Sequence, residues 1–274
     1  MISLGIRAHD FGKLPVKELA RKISSFGLTG IQLAPGKAIE GINADTGSFS
    51  PGLASHLRQE FESQGIRVAV LGCYVNIVHP DLAERGRLLA RFKEHLRFAR
   101  DFGCSMVATE TASLNADWSY HPENGSERAF AEAVKSVAEL VAEAEKFGVL
   151  VAIEGVSTHV MHSPRRLRQL LDSISSNNLQ ILFDPVNLLS LKNWSEQDRL
   201  MKESFDLFGE RIVAIHAKDF RIENGIYRSV PAGLGQLNYP LLKDLLRQRK
   251  SYIDVLLEET TVETLPTSIA CLRS

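Results

Sequence analysis

The stretch LQILFDPVNLL, residues 179–189, runs as a buried strand through Leu179, Ile181, Leu182 and Phe183, then sets Asp184 and Asn187 where the apolar run ends. A short run that is apolar on both faces marks a strand in a parallel sheet covered on both sides. Seven more such runs occur, at 2–6 (ISLGI), 30–33 (GIQL), 66–72 (IRVAVLG), 105–109 (SMVAT), 149–153 (VLVAI), 211–215 (RIVAI) and 253–257 (IDVLL). Segments with helical spacing lie between them. LPVKELARKISSFG and RGRLLARFKEHLRFARDFG repeat their apolar residues three and four apart and stop at Gly27 and Gly103; SERAFAEAVKSVAELVAEAEKFG stops at Gly148. SPRRLRQLLDSI opens with Ser163 as an N-cap and Pro164 in the first turn. Eight βα units in 274 residues, without a linker or a break in composition, predict a single (β/α)8 TIM barrel over residues 1–274. The alternative, an open doubly wound sheet, normally carries a glycine-rich nucleotide loop after its first strand, and LGIRAHDFGK has none.

Composition narrows the function. A formal net charge of −1 gives no general attraction to nucleic acid or anionic lipid. The N-terminal residues lack a signal-peptide pattern, and no apolar run reaches the roughly 18 residues of a membrane helix. A cytoplasmic protein without membrane or nucleic-acid partners is expected; a homo-oligomer is compatible with these features. Cys73, Cys104 and Cys271 are odd in number and far apart, so neither a disulfide framework nor a thiolate zinc site is indicated.

In such a barrel the residues just past the strand ends form the active face. Glu110, Glu154, Asp184, His216 and Glu258 occupy those positions, the last four on four successive strands. Three carboxylates and an imidazole drawn together repel one another unless a cation balances them. Oxygen ligands with one imidazole suit Mn²⁺ or Mg²⁺, with Co²⁺ or Zn²⁺ as alternatives. An isolated acid at a strand end also serves as an ordinary helix cap, the competing reading for each residue taken alone.

The fragments VAIEG, ILFDPVNLL, IVAIHAKDF and LLEE occur in the order and spacing seen in xylose-isomerase-like barrels, and GCYVNIVHPDLAERGRLLARF extends the likeness into the third unit. The chain resembles the sugar-phosphate isomerases and ketose 3-epimerases of that superfamily over nearly its whole length. The resemblance implies that Glu154, Asp184, His216 and Glu258 ligate the metal and that Glu154 and Glu258 also move the proton, with Glu259 as the rival to Glu258. It implies a small carbohydrate substrate, a keto-sugar or sugar phosphate, isomerised or epimerised through a metal-stabilised cis-enediolate. A dehydratase of the inosose or dehydroshikimate type and a non-catalytic ligand-binding barrel are the alternatives. Two departures concern the substrate: Asn187 stands where epimerases often carry histidine, and Gly233-Leu234-Gly235 where many relatives read Gly-Glu-Gly. The apurinic endonucleases of the superfamily need a histidine-rich zinc cluster that this chain lacks.

Substrate contacts are expected from Glu110, Asn187, His159 and His79, with Asn76 beside them. Lys218 and Arg221 are candidate partners for a substrate phosphate or carboxylate. The segment 219–238 is long for a βα loop and suggests a lid. Trp118 and Tyr120 are candidates for an apolar wall; His9, His56, His95 and His121 give no reason to prefer function over surface.

Overall fold

The computed structural model describes residues 2–273; Met1 and Ser274, the ends of the expected domain, lie outside the described residues. The strands in chain order are β1 (Ile2–Arg7), β2 (Gly30–Leu33), β3 (Arg67–Gly72), β4 (Met106–Glu110), β5 (Leu150–Glu154), β6 (Leu179–Phe183), β7 (Ile212–Glu223), β8 (Ile226–Pro231) and β9 (Ile253–Leu257). All but β8 pair in parallel. The ring closes where β1 meets β9, with Ile2 opposite Ile253, and where β6 meets β7, with Ile181 opposite Ile212. The result is a closed eight-stranded (β/α)8 TIM barrel, as the strand rhythm predicts.

The helices are α1 (Val16–Ser24), α2 (Pro35–Ala38), α3 (Pro51–Glu62), α4 (Leu82–Phe98), α5 (Glu127–Phe147), α6 (Pro164–Ser173), α7 (Gln197–Phe208), α8 (Tyr239–Arg249) and α9 (Leu265–Arg273). Their apolar stripes are what they bury: Leu19, Ala20 and Ile23 on α1, Leu167, Leu170 and Leu171 on α6. Ser126 and Ser163 cap α5 and α6 by accepting from Ala129 N and Arg166 N, and α5 ends on Gly148 in the left-handed region. Phe183 of β6 meets Phe205 and Phe208 of α7 edge-on, so the opening stretch is held on its helix-facing side by aromatic contacts. No helix among the described residues is long and apolar enough to cross a membrane.

One expected element differs. Residues 219–238 are not an open lid loop: β7 continues to Glu223, turns at Asn224-Gly225 and returns as β8, with Arg221 opposite Arg228. Asn224 and Gly225 have φ of 52° and 73°, the left-handed pair of a tight hairpin turn, and Asn-Gly is the dipeptide that favours it. Asp219 then ties down the returning chain. Its Oδ1 accepts from Phe220 N and Leu237 N at 2.8 and 2.7 Å, and its Oδ2 from Gly233 N and Gly235 N at 3.2 and 3.1 Å. Gly235 passes so close that a Cβ there would lie 2.3 Å from Asp219 Oδ1 and Phe220 O. Tyr227 stacks on Phe220 and donates to Val186 O, which fixes the hairpin to the loop after β6.

Candidate metal centre and active site

The parallel register brings Glu154, Asp184, His216 and Glu258 to one end of the barrel, all buried, with one ligand atom from each lying within 4.8 Å of the others. Asp184 closes a turn after β6 and faces the site at once. Its Oδ1 accepts from Val186 N at 2.8 Å and Asn187 N at 3.1 Å, which orients the carboxylate and leaves Oδ2 turned to the cluster. Lys218 Nζ lies 3.0 Å from that Oδ2 but outside hydrogen-bond angles, so Oδ2 has a charge beside it and no donor directed at it.

His216 presents Nδ1 to the cluster, 3.1 Å from Glu154 Oε1 and 3.3 Å from Glu258 Oε2. Its Nε2 donates to Gln32 Oε1, which can only accept, so the proton on Nε2 is assigned and Nδ1 is the nitrogen with a lone pair to offer. Gln32 Nε2 in turn donates to Tyr74 Oη at 3.0 Å, and Tyr74 donates to Glu154 Oε2 at 3.1 Å. Glu154 Oε1 also accepts from Asn187 Nδ2 at 2.7 Å. Glu258 is held by the Arg7 guanidinium and by Lys218 Nζ at 3.2 Å.

Without a divalent cation the protein's own cations balance the acids. Burial alone would lower the His216 pKa, but Glu154 and Glu258 outweigh it and leave it raised to about 9. Lys218 is held well above its ordinary value against the same burial penalty, by Asp184, Glu258 and Glu154. Burial pushes Asp184 up; for Glu258 the nearby Lys218, His216 and Arg7 overcome burial and hold it down. The donor set fits a divalent ion: three buried carboxylates, a tautomer-fixed imidazole, and a carboxylate oxygen that no donor satisfies.

A cavity of about 390 Å³ opens on this cluster. Glu258, Gln32 and Tyr74 connect it to the ligand set; Arg7, His9 and Lys37 contribute cationic and imidazole groups, and Glu110 and Trp118 complete the lining. Glu110 pairs in register with Glu154 and has His159 Nδ1 3.3 Å from its Oε2, while Trp118 meets the His159 ring edge-on. Burial, then Glu154, raises the Glu110 pKa to about 8, and burial lowers His159 to about 4, so both are largely neutral near pH 7 and the contact is not an ion pair. A larger cavity of about 610 Å³ lies among Ser3, Thr29, Arg247 and Lys250 near the strand starts. It gathers none of the four ligand residues, and the barrel end at the strand C-termini carries the chemistry.

Several expected contacts fall elsewhere. Lys218 is packed among the carboxylates rather than presented to a substrate anion. Arg221 is exposed and is spent on Leu234 O and Glu223, because the continuing strand turns it away. His79 accepts from Asp81 N and its carbonyl receives Arg85 Nε, so it shapes the entry to α4. Asn76 is buried and holds Ser113 O and Asn115 O. Asn187 orients Glu154, Glu259 is outside the cluster with its carboxylate near Arg7, and Tyr120 is exposed. Arg7, His9, Gln32, Lys37 and Tyr74 line the cavity and were not singled out from the sequence. The signals available were a polar Gln32 inside the buried run GIQL and the residues directly after the first and third strands.

A family model described as xylose isomerase-like TIM barrel matches residues 20–274. Among solved structures, a 3-keto-D-glucoside 4-epimerase from E. coli is similar with a TM-score of 0.74 and 17% identity, covering 100% of this chain and 99% of that one. A D-tagatose 3-epimerase-like protein gives a TM-score of 0.75 at 16% identity, over 99% of this chain and 96% of that one. A probable 3-DHS dehydratase from Bacillus anthracis gives 0.73 at 14% identity, over 100% and 98%. At these identities the likeness establishes the fold alone. No curated protein sequence matches the chain.

Proposed function

The chain belongs to the xylose isomerase-like TIM barrel family, and from that premise we propose that it is a divalent-metal-dependent isomerase or epimerase of a small polyhydroxy keto compound. The observation that carries this reading is the buried Glu154–Asp184–His216–Glu258 set, whose Glu258 also lines a cavity of sugar-binding size. A divalent ion held there would supply charge for the oxygens of a cis-enediolate. Mn²⁺ or Mg²⁺ suits the three carboxylates best.

The residues themselves account for the proton. Glu154 and Glu258 leave β5 and β9 and are each oriented by separate partners, Tyr74 and Asn187 for the first, Arg7 and Lys218 for the second. Two independently held carboxylates suit a reaction in which one removes a proton from carbon and the other delivers one to the opposite face. A second reading, dehydration, draws on Glu110. A largely neutral carboxyl group on the cavity lining is an acid that epimerisation does not need and a leaving β-hydroxyl does.

A panel of keto-sugars, sugar phosphates and keto acids turned over in D₂O by the Mn²⁺-loaded protein tests both. Inversion with solvent deuterium at the inverted carbon supports the two-carboxylate reading, and a new C=C absorbance supports dehydration. Glu154→Gln and Glu258→Gln should each cut turnover by about 10² or more. Inversion without deuterium incorporation would point to hydride shift and remove the two-base assignment.

A further inference from the structure

Lys37 leaves the short helix after β2 and lines both the catalytic cavity and an adjoining cavity of about 210 Å³ that Arg91 also lines. Its recorded partner is the Tyr74 ring, 5.8 Å from Nζ, and among the described residues no carboxylate lies within ion-pair distance of it. Arg7, the neighbouring cation, is engaged by Asp10, Glu258 and Glu259. An exposed lysine alone is by default a solvated charge. A second observation sets this one apart: His9, on the same cavity, has a buried Nδ1 with no hydrogen-bond partner. Buried polar atoms in native proteins are rarely left so; this nitrogen is closed to solvent as the ring stands, so it meets a ligand when the ring turns, and no protein hydrogen bond opposes that turn. Burial, then the positive charges of Arg7 and Lys37, lowers the His9 pKa to about 4, so at neutral pH it stands beside Lys37 as a neutral imidazole able to donate one N–H.

We propose that Lys37 and His9 form a subsite for an anionic group, a phosphate monoester or a carboxylate, carried by the substrate away from its reacting carbon. This deepens the reading of the metal centre and rests on it: the reacting end of the substrate lies over the four-ligand cluster and the anionic end reaches the shared boundary of the two cavities. The two cations expected to meet such a group, Lys218 and Arg221, are committed elsewhere, the first to the carboxylates and the second to the outer face of the hairpin. Lys37 is the ammonium left facing the cavity. Because it is exposed, its attraction is screened by salt, whereas contacts over the buried cluster are screened far less.

The test uses two enediolate mimics on the Mn²⁺-loaded protein, glycolohydroxamate and phosphoglycolohydroxamate, with malonic monohydroxamate as the carboxylate arm. Isothermal titration should show one of the two anionic probes binding at least about tenfold more tightly than glycolohydroxamate, as one well-placed charge contact allows. The arm that gains identifies the anion. Lys37→Gln, a substitution at an exposed position, should bring that ratio to within about twofold of unity while leaving glycolohydroxamate affinity unchanged, and raised salt should shrink the ratio in the wild type only. Equal binding of all three probes by the wild type, or a ratio that survives Lys37→Gln, overturns the subsite. Failure of glycolohydroxamate to bind the loaded protein counts against the metal reading. Inorganic phosphate titrated into the metal-free wild type and Lys37→Gln then decides the subsite alone: weaker binding by the variant upholds it, and no difference overturns it.

Discussion

Replacing Lys218 with methionine should change two properties in opposite directions. The ammonium sits 3.0 Å from Asp184 Oδ2 and 3.2 Å from Glu258 Oε2 and is almost fully buried. At an effective dielectric of about 20, each contact is worth about 5 kcal/mol of gross attraction, and the desolvation of the ammonium consumes much of it. Removing one partner of a buried ion pair typically costs about 3–5 kcal/mol, because the remaining charges are stranded. Here three carboxylates would remain with His216 and, at Glu258, Arg7 against them, and Asp184 would lose the one cation beside its Oδ2. At about 2–4 °C per kcal/mol for a chain of this size, the metal-free variant should melt on the order of 10 °C below the metal-free wild type.

Metal affinity should move the other way. Arg7 pairs with Glu258 in both proteins, so without Lys218 the ion meets one more uncompensated negative charge. Lys218→Met should therefore bind Mn²⁺ more tightly, by about tenfold or more at low ionic strength, where one unit charge beside a divalent ion is worth over a kcal/mol. Scanning calorimetry of chelator-treated protein gives the first quantity, and Mn²⁺ titration at pH 8, where competition from protons is reduced, gives the second. A variant whose melting point is unchanged, or one that loses metal affinity, would refute the assignment of Lys218 as the counter-ion of the cluster.

Metal binding should release a proton. With its pKa raised to about 9, His216 is protonated on Nδ1 in the metal-free protein at neutral pH, so apparent Mn²⁺ affinity should climb with pH, by up to about tenfold per unit, and level off above about 9; titration in buffers of different ionisation enthalpy counts the proton. The same raised pKa adds stability to the metal-free fold that is complete below the ordinary histidine value and is lost as pH rises through about 9, visible as a falling melting temperature across that window. Gln32→Leu removes the acceptor that fixes the His216 tautomer and should weaken Mn²⁺ binding about 10–100-fold with the fold intact by circular dichroism. Gly235→Ala places a methyl group against Asp219 and Phe220 O and should destabilise the protein by about 1–3 kcal/mol in urea titration.

The barrel was legible because its signal is repeated: apolar runs alternate with segments of helical spacing along the whole chain, and the strand ends are where the active face must be. The four ligand candidates share that property, each standing at the carboxyl end of a strand. His9 and Tyr74 stand two residues past the ends of β1 and β3, but they are not acids or part of the run of four ligand residues, and Gln32 and Lys37 carry no strand-end signal. Gln32 lies within a strand, and the others sit at the starts of connections whose direction only the closed barrel determines. Their roles depend on pairs 42 to 184 residues apart, Gln32 with Tyr74 and with His216, which no local pattern contains.

Lys218 and Arg221 turn to different surroundings for a single cause, and it was readable. Ending the seventh strand at Ile215 made HAKDFR a strand end followed by a loop, in which any charge could turn toward a substrate. β7 in fact continues to Glu223. Along a strand, side chains alternate between the two faces, so residues two apart point the same way. His216 and Lys218 therefore share one face and deliver an imidazole and an ammonium to the same carboxylates. Asp219 and Arg221 share the other, where the carboxylate anchors the hairpin return and the guanidinium is exposed. The Asn-Gly at 224–225 signals a hairpin turn, and a hairpin needs strand on both sides. With the strand extended to that turn, period two alone puts Lys218 beside His216. The buried cation at the cluster thus follows from the same register that builds the cluster.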